Sequence, residues 1–315
     1  MSPLPAPFPL PGTTCQSDVA PLRRVLLKRP DAAFCSQEQI EREWEALHFL
    51  APPDLDRARE EHDRLVRLLE DHGATVELVP GGTPEHPGDG DAGQEGAPTG
   101  LDSLYVRDAS ILTDRGVILC SMGKDARRGE PDEQERYYRA AGIPVLGRVT
   151  GAGRLEGGDV AWLDPWTLAV ARGYRTNDEG IRQLADLLGP DIRLEIMHSP
   201  HYRGPDDVFH LMSVFSPLAR DLALVYSPLM SVPFREMLLA RGIRFVEVPD
   251  QEFESLGCNA LAIAPSVCVI AEGNPVTVTR LRTAGVEVHE FSGREICLKG
   301  SGGPTCLTRP LERWL

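Results

Sequence analysis

Residues 65–79 read LVRLLEDHGATVELV and join the end of a predicted helix to a short strand. The helix begins near Asp54, and four positions at helical spacing share one of its faces, Ala58, His62, Leu65 and Leu69. Gly73 ends the helix, because glycine reaches the positive φ of a C-terminal cap without a Cβ clash. The β-branched run at 74–79 then predicts a strand.

The same order of helix, glycine and strand occurs five times along the chain. The later helices end at Gly142, Gly189, Gly242 and Gly285, and strands are predicted after them at 143–146, 192–196, 243–248 and 286–291. A recurrence at roughly fifty residues is typical of radial arrays. Further short strands, such as 117–120 and 168–171, precede the helices. Each unit is therefore predicted to combine a mixed sheet with one helix.

The predicted fold class is α/β, with residues 1–315 forming a single domain. Its approximate units are 20–80, 101–150, 151–200, 201–252 and 253–315, and the Gly-, Pro- and acid-rich stretch 80–100 is predicted to be a flexible exposed loop. A doubly wound α/β sheet is the alternative from pattern alone. Against it, no strand is followed by the glycine fingerprint of a dinucleotide fold, and no phosphate-binding G-x-x-x-x-G-K-[ST] occurs.

The composition indicates a folded, acidic protein. Of 315 residues, 42% are hydrophobic and 25% charged, which is enough apolar side chain for a large core. The net charge of −14 argues against binding to nucleic acid or to an anionic membrane. Prolines at 3, 5 and 7 stand where a secretory signal needs an apolar helix, so we expect a cytoplasmic protein. A homodimer is left open.

The chain has seven cysteines, without a C-x-x-C pair or zinc-knuckle spacing: Cys15, Cys35, Cys120, Cys258, Cys268, Cys297 and Cys306. We interpret them as reduced thiols, most of them packed in the core. Cys306 differs, because the glycine-rich loop before it, 299–305, offers little for packing and leaves room for a substrate near the sulfur.

Three other segments also carry more polar residues than packing requires. Residues 101–108 contain Asp102 and Asp108, residues 155–160 place Glu156 and Asp159 around a glycine pair, and residues 209–215 put His210 in an apolar run that predicts a strand. Each has an ordinary explanation: solvated carboxylates, a tight turn and a core histidine.

Taken together, the segments indicate a thiol hydrolase. A cysteine nucleophile with a histidine for proton transfer is a recognised catalytic pair. Carboxylates directed at the same place imply a cationic electrophile, and two carboxylates that hold a planar cation describe a guanidinium site. A cysteine peptidase would not need these carboxylates.

The four segments, in this order, resemble the guanidine-modifying enzymes of the pentein fold: arginine deiminases, dimethylarginine dimethylaminohydrolases and amidinotransferases. The resemblance runs from about Arg23 to the C-terminus, and residues 302–308 are its most specific part. It implies a five-bladed α/β propeller of ββαβ units around a central channel. A non-catalytic pentein that binds ribosomal subunits would lack the cysteine and the histidine.

The resemblance also implies a role for each candidate residue. Cys306 would be the nucleophile and His210 the general acid and base, while Asp108 and Glu156 would clamp the guanidinium. The substrate-binding candidates are Asp102, Arg127, Arg175 and Met212, with Arg128 as a competitor for the place of Arg127 and Asp159 as a supporting residue. The implied reaction passes through a covalent amidino-thioether on Cys306. No metal and no cofactor are expected.

The signals for a subfamily conflict. Asp102 resembles the dimethylarginine hydrolases, whereas Arg107 resembles the deiminases and amidinotransferases. Met212 departs from the aspartate that deiminases and transferases carry there. We therefore expect hydrolysis of an arginine or an Nω-methylated arginine to citrulline and ammonia or an amine, with amidino transfer to an amine acceptor as the alternative.

Overall fold

Five small sheets contain the named strands of the structure, a computed structural model that describes residues 8–80, 99–205, 207 and 209–315. The predicted loop at 80–100 and the proline-rich start at 1–7 lie largely or wholly outside the described residues. The strands, in chain order, are β1 (Thr13–Thr14), β2 (Leu22–Leu27), β3 (Thr75–Leu78), β4 (Ser110–Thr113), β5 (Gly116–Leu119), β6 (Val145–Arg148), β7 (Val160–Asp164), β8 (Thr167–Arg172), β9 (Arg193–His198), β10 (Phe215–Ala219), β11 (Leu222–Val225), β12 (Arg244–Glu247), β13 (Ala260–Ala264), β14 (Val267–Ala271), β15 (Glu287–Phe291) and β16 (Arg309–Trp314).

Helices connect these strands on the outside of each sheet or lead into them. They are α1 (Pro30–Phe34), α2 (Gln37–Glu43), α3 (Leu55–Asp71), α4 (Glu130–Ala140), α5 (Asp178–Leu188), α6 (Val232–Ala240), α7 (Asp250–Phe253) and α8 (Pro275–Thr283). Side chains of Ser36, Asp54 and Asn177 cap the starts of α2, α3 and α5 by accepting backbone N–H groups. Among the described residues, no helix is both long and apolar enough to cross a membrane.

The five predicted helix stops are confirmed. A glycine with positive φ follows each long helix, at Gly73, Gly142, Gly189, Gly242 and Gly285, with φ between 71° and 86°. An L-residue with a Cβ would be strained in that conformation. The chain therefore reverses at these points and enters the next strand.

Each sheet follows one ββαβ plan. In the second sheet, β4 pairs antiparallel with β5, α4 crosses over, and β6 returns parallel to β5. We call the sheets blades 2 to 5, formed by β4–β6, β7–β9, β10–β12 and β13–β15. Blade 1 has the order β1-β16-β2-β3, so the last strand lies between the first two. The expected five-bladed α/β propeller is confirmed, while the unit boundaries within a single domain stay a prediction.

Apolar side chains fill the seams between neighbouring blades. Among the described residues there are five buried clusters, and each joins two adjacent blades. Leu26 with Leu112 represents the seam of blades 1 and 2, and Val25 with Val269 represents that of blades 1 and 5. Burial of these side chains holds the ring together. Buried polar residues, among them Asp108, Glu156 and His210, lie in the middle of the ring.

Candidate active site

One residue from each blade lies just before that blade's innermost strand, at one end of the ring. Asp108 and Glu156 precede β4 and β7, His210 precedes β10, Asn259 precedes β13, and Cys306 precedes β16. Short 3₁₀ turns at 106–109, 157–159 and 211–213 carry three of them. The repeat therefore brings together four catalytic candidates and one residue that the sequence analysis did not identify.

Cys306 lies in a tightly packed turn, and the expectation of a loosely packed glycine loop is wrong. A Cβ on Gly302 would lie 2.4 Å from the ring of Tyr105, and one on Gly303 would lie 2.4 Å from the side chain of Asn259. The glycines are required by this close approach. Asn259 also donates from Nδ2 to the Cys306 Sγ over 3.4 Å and accepts the backbone N–H of Thr305 over 3.0 Å.

Burial and the nearby Asp108 carboxylate raise the pKa of the Cys306 thiol, and the hydrogen bond from Asn259 only partly offsets them. A buried anion beside a carboxylate is unfavourable without a compensating cation. Without a bound cation the thiol is therefore protonated at neutral pH, and a cationic substrate would favour the thiolate.

We expect iodoacetamide to alkylate Cys306 slowly at pH 7. The rate should rise by about tenfold per pH unit up to the raised pKa, because the thiolate is the reacting form. Peptide mass spectrometry of the Cys306 fragment between pH 6 and pH 9 measures this. A rate that does not change with pH would mean that a thiolate already exists in the free enzyme.

The apolar neighbours of His210 predict a strand, and this prediction is wrong. His210 instead caps the 3₁₀ turn at 211–213. Its Nε2 is 2.7 Å from Glu156 Oε2, and its Nδ1 is 3.9 Å from Asp108 Oδ1. Burial alone would lower the pKa of this imidazole, but the carboxylates of Asp108, Asp159 and Glu156 outweigh burial and raise the pKa to about 9. His210 is therefore an imidazolium at neutral pH and can donate a proton.

The two clamp candidates differ in how their oxygens are used. Burial disfavours the Glu156 carboxylate, but the hydrogen bond with His210 and the charges of His210 and Arg175 hold its pKa well below the usual range. Its Oε1 accepts the backbone N–H of Gly123 over 2.8 Å. Asp108 Oδ1 is buried and has no hydrogen-bond partner among the described residues. This oxygen is positioned to accept an N–H from a guanidinium.

Asp159 supports the turn that carries Glu156. Its two oxygens accept the hydroxyl of Thr176 over 2.6 Å and the backbone N–H of Leu211 over 3.1 Å. Burial raises its pKa to about 6. Gly158 is required beside it, because a Cβ there would lie 2.6 Å from both Asp108 Oδ1 and His210 Nδ1.

The three clustered ligand atoms of Asp108, Glu156 and His210 lie within 4.8 Å of one another, as a metal site would require. A metal ligand must be a neutral imidazole, however, and the raised pKa of His210 keeps it protonated. The chemistry of this donor set therefore suits an organic cation better than a metal ion.

Two of the arginine candidates, Arg127 and Arg175, lie next to the carboxylates of Asp108 and Glu156. Arg127 is buried and donates to Asp108 Oδ2 over 2.7 Å and to Glu130 over 2.8 Å. Arg175 Nη1 is 3.6 Å from Glu156 Oε1. Arg128 points to the surface, where it pairs with Asp125. Of the two neighbouring arginines, the structure therefore brings Arg127 to the site and leaves Arg128 outside it.

Asp102 and Met212 line two different cavities that both reach Cys306. Asp102 pairs with Lys124 over 2.6 Å in a small polar cavity of about 20 Å³ that also reaches Cys306. Met212 lines a larger chamber of about 180 Å³, and its sulfur accepts a hydrogen bond from Arg107 Nε over 3.3 Å. Aromatic and apolar residues line this chamber around Cys306, among them Phe209, Phe253 and Leu256.

Asn259 and Lys124 are the site residues that the sequence analysis missed. Asn259 directly precedes β13, and the site residues of the other blades stand two to five residues before a strand, so the internal repeat was the signal that could have found it. Lys124 stands in an unremarkable polar stretch, and its contact with Asp102 depends on the three-dimensional structure alone.

Comparisons with known proteins agree with this geometry. The arginine deiminase family model matches residues 102–236 and 230–313, more than half of the chain. An uncharacterized protein of Bacillus subtilis, YkgA, is 26% identical over 305 residues, which is 96% of each chain. The arginine deiminase of Listeria welshimeri is 28% identical over 255 residues, covering 68% of this chain and 62% of the relative. The chain thus spans about three fifths of the length of that deiminase.

Solved structures share the fold. DDAH of Pseudomonas aeruginosa in complex with citrulline has a TM-score of 0.68 at 22% identity and covers 91% of this chain and 98% of that chain. The N-terminal domain of ArgZ, an arginine dihydrolase of cyanobacteria, bound to its product, has a TM-score of 0.72 at 21% identity and covers 90% of this chain and 96% of that one.

Proposed function

The chain belongs to the arginine deiminase family, and from this we propose that it is a cysteine-dependent hydrolase of a guanidino compound, with arginine or an Nω-substituted arginine as the substrate. The observation that carries the proposal is the unpaired, buried oxygen of Asp108 beside Cys306 and a protonated His210. Such an acceptor suits an N–H of a cation that the nucleophile attacks. The amidinotransferase alternative is not favoured, because the similar proteins with a stated activity are an arginine deiminase and an arginine dihydrolase.

The proposed reaction begins when the guanidinium binds to Asp108 and Glu156. Its charge favours loss of the Cys306 proton to solvent, and the thiolate forms a bond to the central guanidinium carbon. His210 protonates the departing nitrogen, the C–N bond breaks, and ammonia or an amine leaves. An amidino-thioether cation remains on the sulfur.

The second half of the reaction uses the same histidine in its neutral form. His210 takes a proton from water, the resulting hydroxide adds to the carbon, and the C–S bond breaks to return the thiolate. The added hydroxyl group loses its proton to solvent as the C=O bond forms. The product is a ureido compound, which is citrulline when the substrate is an arginine.

The amino-acid end of the substrate is proposed to lie in the small polar cavity. Lys124 and Arg175 supply cationic groups there for an α-carboxylate, and Asp102 can accept the α-amino group. Arg127 already bonds Asp108 and Glu130, so its part in carboxylate binding requires it to release at least one of these partners.

We expect Arg175→Ala to raise KM for arginine strongly. Loss of a charged hydrogen bond to a carboxylate in this partly dry site costs about 2–4 kcal/mol of transition-state binding. Agmatine, which has no carboxylate, should be a poor substrate for the wild type and should lose little more in the variant. Steady-state kinetics with both compounds measure the difference.

Arg128→Ala is the matched control, because Arg128 is exposed and pairs only with Asp125 in the described structure. Its KM for arginine should stay at the wild-type value. If the wild type used agmatine as well as arginine, the carboxylate assignment would be wrong.

Met212 is proposed to favour an Nω-substituted substrate. A thioether can pack against an N-methyl group, whereas an aspartate would demand N–H donors that methylation removes. We expect kcat/KM for asymmetric dimethylarginine to exceed that for arginine by about 10–200-fold. Competition of both substrates in one tube measures the ratio directly.

The variants Met212→Leu and Met212→Asp separate packing from charge. The leucine variant should keep the preference for the methylated substrate, because it keeps an apolar side chain. The aspartate variant should move preference towards arginine. Equal or faster use of arginine by the wild type would remove the role of Met212 and leave a plain arginine hydrolase.

A further inference from the structure

A second cluster of ligand-type side chains lies on the outside of the ring, where blade 1 meets blade 5. His72 follows the end of α3, and Glu287 and His289 stand two residues apart on β15. One ligand atom from each of the three lies within 4.8 Å of the others. The imidazole rings of His72 and His289 are 4.2 Å apart between centroids, in an edge-on arrangement.

The ring of His72 is oriented by the helix that it ends. Its Nδ1 is 2.8 Å from the carbonyl oxygen of Leu68. A carbonyl can only accept, so Nδ1 carries a proton, and in the neutral ring Nε2 is the nitrogen with the lone pair that a metal binds. A backbone carbonyl on the second nitrogen is the usual partner of a metal-binding histidine, because it fixes the tautomer and the ring orientation.

Glu287 and His289 bring a carboxylate oxygen and a ring nitrogen close together. His289 Nε2 is 2.8 Å from Glu287 Oε1. A carboxylate oxygen and a ring nitrogen at this separation can bind the same divalent cation after small side-chain rotations.

The surroundings also favour a cation. The cluster lies at the C-terminal end of α3, the longest helix named here, where the unpaired carbonyls carry partial negative charge. Glu287 adds a full negative charge, and the chain as a whole has a net charge of −14. Arg282, a nearby cation on α8, is engaged with Glu290 over 3.1 Å.

We propose that His72, Glu287 and His289 form a zinc site that ties blade 1 to blade 5. Two imidazoles and a carboxylate suit zinc, whereas calcium and magnesium prefer oxygen ligands alone. Tetrahedral bonds of about 2.0–2.2 Å need ligand atoms roughly 3.4 Å apart, so small rotations of these surface side chains close the site. Water takes the fourth position.

The site connects elements that are far apart in the chain and adjacent in the ring. α3 of blade 1 packs beside β15 of blade 5, and one apolar cluster already joins the two blades. A metal ion at this seam would connect blades 1 and 5 at the surface, outside the apolar cluster that already joins them. Zinc should therefore stabilise the folded ring against thermal unfolding.

The test uses the full chain, stripped of metal with a chelator and dialysed against zinc chloride. Bound zinc is counted by elemental analysis for the wild type, His72→Ala, His289→Ala and the control His198→Ala, which removes an exposed histidine on β9. We expect both site variants to bind one equivalent less than the wild type and the control. At zinc well above its Kd, Tm should rise by about 3–6 °C in the wild type and the control only.

Two further variants exclude the thiols as the source of the signal. Cys35→Ser and Cys306→Ser should keep the equivalent that His72→Ala loses, and His72→Ala should hydrolyse the guanidino substrate at the wild-type rate. Retention of that equivalent in both histidine variants, or its loss in a cysteine variant, would overturn the proposal.

Discussion

Changing Cys306 to alanine should lower kcat by several orders of magnitude while the protein stays folded. Among the described residues that line the chamber, Cys258 carries the only other thiol, and its sulfur contacts the carbonyl of Leu224, so no second group is placed to form the covalent amidino-thioether. The sulfur makes two weak hydrogen-bond contacts, with Asn259 over 3.4 Å and with Thr305 over 3.8 Å, so its removal costs little stability. Single-turnover kinetics with circular dichroism on the same sample would measure both effects.

Cys258→Ala is the matched control. Cys258 is buried, lines the same chamber and directly precedes Asn259, but its thiol contacts the carbonyl of Leu224 instead of the site. Its variant should keep most of the wild-type kcat. Retention of more than a few per cent of activity by Cys306→Ala would show that the nucleophile lies elsewhere.

Changing His210 to glycine should also cost a large part of kcat, about 10²–10⁴-fold for arginine. The departing amine is a poor leaving group without a proton, and His210 is the protonated group beside Cys306. S-methyl-L-thiocitrulline replaces that amine with a methylthio group, which leaves with less need of protonation. We therefore expect the variant to form the covalent adduct with this compound and then to stop.

The stop is expected because the variant lacks the base that deprotonates water in the second half of the reaction. Intact-protein mass spectrometry should detect the adduct on His210→Gly and none on the double variant that also carries Cys306→Ala. Wild-type turnover of arginine by His210→Gly would contradict the role of His210 in both steps. His62→Ala, at a buried histidine outside the site, gives a control for general loss of histidine.

Much of the ring could be predicted from sequence because the signals that end its helices and begin its strands are local. A glycine at a helix end and a β-branched run after it depend on residues a few positions apart. Five copies of that pattern were enough to predict a radial array, and the sheets of the structure follow it.

The site was harder to predict because its contacts join different blades. Tyr105 and Asn259 pack closely against Gly302 and Gly303 but are far from them in sequence. The sequence therefore predicted a loosely packed loop where the structure has a tightly packed turn. Similarly, the choice between Arg127 and Arg128 depends on the direction in which one short turn faces the ring. The apolar neighbours of His210 predicted a strand, whereas its place at the start of a turn comes from the hydrogen bond with Ser213.

The central claim is that this protein hydrolyses the guanidino group of an arginine through Cys306. Purified protein should be incubated separately with arginine, asymmetric dimethylarginine and agmatine, and the ureido product and the released ammonia or amine should be quantified. We predict citrulline and one equivalent of ammonia or dimethylamine from the two amino acids, with little product from agmatine and none with Cys306→Ala. Absence of a ureido product from all three compounds with the folded wild-type protein would contradict the account.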